Sequence, residues 1–167
     1  MKPKPYFSAD IAEFLFLLAK HHVCYLIVGG EAVIYYGYAR LTGDIDLLYE
    51  RTEANATLLF DALKEFWASA IPGIHNEEEL RKEGMVFQFG IPPNRIDLLN
   101  SIDGVEFGAA WKNKKLETLS RGRKKFAIYY VGVEELIRNK KAVNRDKDKD
   151  DLRFLTKAKR TRANRRS

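Results

Sequence analysis

Residues 29–50, GGEAVIYYGYARLTGDIDLLYE, constrain this chain more than any other stretch. A glycine pair, Gly29-Gly30, closes a short apolar run, and two aspartates spaced by one residue, Asp44 and Asp46, open a second one. Successive side chains alternate across a strand, so Asp44 and Asp46 share one face while Ile45, Leu47 and Tyr49 take the other and can build a core. Aspartate is disfavoured in strands and costly to bury. Two carboxylates ~4 Å apart repel by about 4 kcal/mol at an effective dielectric of ~20. A divalent cation removes that repulsion, and an all-oxygen donor set points to magnesium or manganese rather than zinc.

Asp97 repeats the anomaly inside Arg95-Ile96-Asp97-Leu98-Leu99. Each strand aspartate alone reads as a solvent-facing edge residue. Two strands brought side by side would instead gather three carboxylates around one or two cations, the arrangement that clamps both oxygens of a phosphoryl transfer. The glycine pair lies between an expected strand and an expected helix, where glycine lets backbone amides approach a phosphate. It is neither GxGxxG nor a Walker loop, since no Gly-Lys-Ser/Thr follows.

The rest of the chain supplies a scaffold. Ser8 can cap a helix carrying Ile11, Phe14, Leu15 and Leu18 on one face. Residues 24–28 read as a buried strand with Cys24 a small buried member, 31–38 as a short helix and 44–50 as a strand. Residues 53–69 form a helix with a wide apolar stripe, ended by Pro72-Gly73. Residues 76–84 read as a loop or weak helix. Residues 85–89 and 95–100 make a hairpin about Pro92-Pro93, and 115–119 with 124–131 a second one. Residues 104–108 read as a variable connection. A helix covers 133–143, then charged helix or loop to residue 151, and a last apolar contact at Leu152, Phe154 and Leu155. Asp146, Asp148 and Asp150 have the spacing of a calcium loop, but Asp151 and Lys157 stand where that loop needs glycine and glutamate. His21, His22 and His75 read as surface residues. Tyr36 and Tyr38 read as core aromatics, with stacking on a base as the lesser role.

At 167 residues the chain is expected to form one domain, 1–156, followed by a basic tail, 157–167. Lys157, Lys159, Arg160, Arg162, Arg165 and Arg166 carry the net charge of +6, leaving 23 basic against 23 acidic residues in the remainder. Such a tail can hold a polyanion such as RNA, or simply be solvated. No apolar run reaches the ~18 residues of a membrane helix and no signal peptide is evident, so no membrane partner and a cytoplasmic location are expected. The single cysteine excludes an internal disulfide and a thiolate metal cluster.

Together, Gly29-Gly30, Asp44/Asp46 and Asp97 resemble the signature of the nucleotidyltransferase superfamily of DNA polymerase beta type. The run Arg40-Leu41-Thr42-Gly43-Asp44-Ile45-Asp46 is similar to that of small nucleotidyltransferases related to the AbiEii toxin type. So are residues 92–99, Gly104-Val105, Ala110-Trp111, and Lys140, Arg145 and Lys147-Asp148, so the resemblance spans most of residues 23–155. Three positions depart from many relatives: Gly30 replaces a serine, and Asn144 and Asp146 stand for glycine and proline. The resemblance implies an α/β (α+β) domain of polymerase-beta-like fold, a mixed β-sheet flanked by helices. It implies transfer of a nucleoside monophosphate from an NTP to an acceptor hydroxyl on RNA or protein, with release of pyrophosphate. Asp44, Asp46 and Asp97 would be the catalytic, metal-holding carboxylates for magnesium or manganese. Gly29, Gly30, Arg40, Thr42 and Lys140 would bind the triphosphate, although an exposed helix lysine is the plain reading of Lys140. A toxin–antitoxin setting, with a cognate antitoxin as partner, comes with the same resemblance. A catalytically inactive module that binds NTP or a partner is the alternative.

Overall fold

The computed structural model describes residues 5–165. The elements in chain order are α1 (Ala9–Lys20), β1 (Tyr25–Val28), α2 (Gly29–Tyr35), β2 (Asp44–Tyr49), α3 (Glu53–Phe66), a 3₁₀ turn (Glu77–Arg81), β3 (Val86–Phe89) and β4 (Arg95–Leu99). They continue with α4 (Phe107–Lys112), β5 (Lys115–Arg121), β6 (Lys124–Tyr130), α5 (Val133–Val143) and α6 (Asp146–Asn164). The strands form one six-stranded mixed sheet in the order β3-β4-β2-β1-β6-β5. β2 runs parallel to β4 and β1 parallel to β6, while the other neighbours are antiparallel.

Local chemistry starts the helices and burial fixes them. Ser8 accepts the Ile11 N–H at 3.4 Å, and Thr52 accepts that of Asn55 at 3.3 Å. α1 then buries Ile11, Phe14, Leu15, Leu17 and Leu18. Phe14 meets Phe66 of α3 edge-on at 5.1 Å, and Phe16 meets Phe126 of β6 at 5.5 Å. Asn55, 3% exposed, ties α3 to the sheet. Its side chain accepts from Cys24 N (2.7 Å) and donates to the carbonyls of Cys24 (3.0 Å) and Glu50 (2.8 Å). Cys24 itself precedes β1 and is only partly buried, so the backbone rather than the thiol is what this position contributes.

Several boundaries differ from those read in the sequence. Gly29-Gly30 opens α2 instead of preceding it, and α2 ends at Tyr35. The connection at 104–108 leads into helix α4, because Glu106 caps it by accepting from Gly108 N (2.9 Å) and Ala109 N (2.8 Å). The largest difference is α6. It runs 19 residues without a break and takes in residues 157–164 of the expected tail, whereas Arg166 lies outside the described residues. Asn144 ends α5 in the left-handed conformation (φ 56°), which asparagine tolerates. The Asp148 carboxylate then accepts the Arg145 N–H at 3.1 Å to start α6. His21 has a partner that its sequence context hides: Glu65, 2.6 Å away, which also binds Lys20. Tyr36 donates to the Val131 carbonyl at 2.7 Å, and Tyr38 stacks on Phe154, so both serve packing. No helix among the described residues is long and apolar enough to cross a membrane.

Candidate active site

Strand register assembles the carboxylates. In the parallel pairing of β2 with β4, Asp44 stands opposite Arg95 and Asp46 opposite Asp97. Because β2 and β4 present alternate residues to each face, all four side chains project to one side, while Ile45, Leu47, Ile96 and Leu98 bury on the other. One oxygen from each of Asp44, Asp46 and Asp97 lies within 4.8 Å of the other two. This donor set fits a hard divalent cation: it is all oxygen, gathered from two strands, and only Asp97 of the three is fully buried.

The electrostatics divide the three carboxylates. Arg95 Nε donates to Asp97 Oδ1 at 2.8 Å, and its Nη2 donates to Asp97 Oδ2 at 3.0 Å and to Asp44 Oδ2 at 2.6 Å. Gln88 on β3 adds a donor to Asp97 Oδ2 at 3.2 Å. The Thr42 hydroxyl lies 3.1 Å from Asp44 Oδ1 and 3.2 Å from the Asp44 carbonyl oxygen. Asp46 lies beyond the reach of that fork. Burial first, and then the negative charges of Asp44 and Asp97, push its carboxyl up to about 6.

The glycines are fitted against this cluster. Gly29 has φ +63°, and a Cβ there would fall on Asp46 Oδ2. A Cβ on Gly30 would come 2.8 Å from Thr42 Oγ1 and 3.0 Å from Arg40 Nη2. Only backbone therefore fits between β1 and the side chains of residues 40–46. Val28, the residue before α2, makes no side-chain cap hydrogen bond to the amides of the Gly29-Gly30 turn.

A second charged group faces the first across the cavity. Lys140 of α5 is 2% exposed, and its Nζ lies 2.9 Å from both Asp148 Oδ1 and Asp151 Oδ2 of α6. This corrects the reading of Lys140 as an exposed helix lysine; helix α6 covers it. Arg40 Nε lies 3.0 Å from Asp151 Oδ1, and Arg145 Nε lies 2.8 Å from Asp148 Oδ2. Burial pushes the Asp148 carboxyl up, but hydrogen bonds from Arg145 and Lys140 outweigh it and hold the group at about 2. Three cations against two carboxylates leave this cluster with one positive charge, while Asp44, Asp46 and Asp97 against Arg95 leave two negative ones at neutral pH. A cavity of about 470 Å³ separates them, and every predicted site residue lines it: Gly29, Gly30, Arg40, Thr42, Asp44, Asp46, Asp97 and Lys140.

Sequence reasoning gave no site role to five participants, Arg95, Gln88, Arg145, Asp148 and Asp151. Arg95 lies two residues before Asp97 on the same strand, so the period that found Asp97 could have found it too. Gln88 is set by the antiparallel register opposite Asp97. Asp148 and Asp151, three apart on α6, share a helix face, a spacing obscured by Asp146 and Asp150, which alternate with them. No family model matches this chain, and no curated protein matches it.

Proposed function

We propose that this chain is a metal-dependent nucleotidyltransferase of polymerase-beta-like fold, moving a nucleoside monophosphate from an NTP to an acceptor hydroxyl. The observation that carries this reading is the β2–β4 register, which sets Asp46 beside Asp97 and gathers three carboxylates next to a glycine turn. Asp44, Asp46 and Asp97 would hold magnesium or manganese, which supplies stabilisation of the charge that develops on the transferring phosphoryl group. Asp97, on the second strand, would face the acceptor and favour loss of its hydroxyl proton. The backbone of Gly29 and Gly30 would meet the phosphates, with Thr42 and the positive wall of Arg40 and Lys140 orienting the triphosphate. A polyphosphate carrying a divalent cation matches a cavity that is negative on one wall and positive on the other.

RNA is the acceptor favoured here over protein, because the C-terminal part of α6 carries Lys157, Lys159, Arg160 and Arg162 with no acidic residue among them. A toxin–antitoxin setting is consistent with such an activity. A second reading, NTP binding without transfer, draws on Arg95, whose guanidinium already neutralises much of Asp44 and Asp97. The deciding experiment incubates the protein with each labelled NTP, magnesium, and total cellular RNA or protein, beside an Asp44→Asn/Asp46→Asn control. Label in the RNA fraction above that control supports transfer; label no higher than the control favours the binding module.

A further inference from the structure

We propose that Arg95 is a built-in counter-cation that competes with the divalent ion for Asp44 and Asp97 and so sets the cation affinity of the site. The inference rests on reading the three aspartates as a cation site, but it concerns a residue to which that reading gives no role.

Arg95 is placed by register, not by chance contact. It pairs with Asp44 across the β2–β4 ladder and precedes Asp97 by two residues on its own strand, so its side chain shares their face. The guanidinium grips Asp97 through two nitrogens, Nε at 2.8 Å and Nη2 at 3.0 Å, and reaches Asp44 with Nη2 at 2.6 Å. Two-point binding of this kind is the strong form of the arginine–carboxylate pair. It occupies Oδ1 and Oδ2 of Asp97 and Oδ2 of Asp44, oxygens that a cation at this site also needs. Asp46 is left as the carboxylate with no guanidinium on it, the open position at which an incoming cation meets negative charge first.

Release cannot come from deprotonation, since arginine keeps its proton throughout the accessible pH range. The hydrogen bonds that Arg95 donates to Asp97, first of all, hold its proton still more firmly. Exchange for another cation is therefore the available route. The side chain is 29% exposed, so solvent lies on one side of it. Gln88 Nε2, 3.2 Å from Asp97 Oδ2, keeps a donor on that carboxylate if the guanidinium leaves. A divalent ion brings two charges to a cluster that Arg95 serves with one, so the exchange is favoured but opposed by the pairs it breaks.

The test is a titration of manganese into the full chain without nucleotide, following the free ion by its paramagnetic resonance signal. Arg95→Gln is expected to bind manganese more tightly than wild type, on the order of tenfold, the scale of one charged hydrogen bond that the ion no longer has to displace, and Arg95→Lys to fall between them. Asp46→Asn is expected to lose the site. A role confined to holding the carboxylates in place predicts the opposite sign. Wild type binding manganese while Arg95→Gln binds it equally or more weakly overturns the competition and leaves the cation site standing. Absence of binding in both proteins overturns the cation site and the competition together. Melting curves guard against a folding artefact: cation-free Arg95→Gln should melt below wild type and gain more from added manganese. An equal gain in both proteins also counts against competition.

Discussion

Asp46 and Asp97 are direct partners in the parallel ladder of β2 and β4, and the Arg95 fork that holds Asp97 leaves Asp46 outside it. The arrangement concentrates charge that the fold alone does not need. Asp46 titrates near 6 when folded against 3.8 for an ordinary aspartate, because of burial first and its two neighbours second. The sign follows. Below pH ~4 both states are protonated; between ~4 and ~6 the unfolded chain releases a proton that the folded chain keeps; above ~6 the folded state carries the full penalty. Without divalent cations, Asp46→Asn should therefore raise stability at pH 7.5, by at most about 3 kcal/mol, and the gain should vanish near pH 4. Urea titrations of both proteins across that range check it; a gain that does not change with pH would assign the effect to something other than the charge.

Gly29 should tolerate no side chain. Its φ of +63° is costly for alanine, and the added Cβ would collide with Asp46 Oδ2. Gly29→Ala should lose about 1 kcal/mol or more of stability and abolish manganese binding, because Asp46 must turn away. Gly30→Ala meets Arg40 Nη2, the end of a flexible side chain, and Thr42 Oγ1, which bonds Asp44. It should cost less stability than Gly29→Ala, impair nucleotide binding most and weaken manganese binding only modestly. Calorimetric titration with each ligand separates the two variants, and equal losses of both ligands in Gly30→Ala would contradict the division of the cavity into two walls.

The part of the site legible in the sequence is the part that obeys a strand's period of two. Asp44, Asp46 and Asp97 were visible because aspartate between apolar strand neighbours is anomalous. Arg95 obeys the same period, yet an arginine at a strand start raises no flag by itself, so its partners appear only once β2 and β4 are aligned. Lys140 fails for a different reason. Its burial is created by α6, and residues 146–151 are so densely charged that local reasoning sees a solvated segment. The identity of their partners, Lys140, Arg40 and Arg145, is a tertiary fact. Glu106 shows a third limit: glutamate is an uncommon helix cap, so α4 had no recognisable start.

The buried ion cluster makes its own stability prediction. Lys140→Met leaves Asp148 and Asp151 in place with only Arg145 and Arg40 to compensate them. Removing one partner of a buried pair costs about 3–5 kcal/mol, and the remaining arginines put the expected loss near the lower end. Asp148→Asn should act through pH. Its carboxyl is held at about 2, so its contribution is complete above pH ~4 and lost as pH falls through ~2. The variant should be destabilised at pH 7, and the deficit should narrow on acidification below pH 4. Acid-unfolding curves that run parallel for the two proteins would count against the pairing.

The basic end of α6 yields the sharpest test of an RNA acceptor. On a helix, Lys149, Arg153, Lys157 and Arg160 recur at spacings of four, four and three, which places them along one exposed stripe. Asp151 and Leu155 lie on the opposite, buried face and hold the helix to the domain. Lys149 and Arg153 are engaged by Asp146 at 3.2 Å and Asp150 at 3.4 Å, so Lys157 and Arg160 are the cations best placed to meet phosphate. Deleting residues 157–167 should weaken RNA binding and flatten its salt dependence. The truncation also removes the Lys159–Glu134 pair at 2.6 Å and Arg162 from beside Tyr36, however, so it disturbs packing as well as charge. Lys157→Ala/Arg160→Ala isolates the charge. If both residues contact phosphate, the slope of log affinity against log salt should fall by roughly 1.4 to 1.8, at about 0.7 to 0.9 per contact, with the melting temperature unchanged. Binding measured by fluorescence anisotropy from low to moderate salt gives that slope directly. A slope equal to wild type would remove RNA from this face of α6, and with it the reason for preferring RNA over protein as the acceptor.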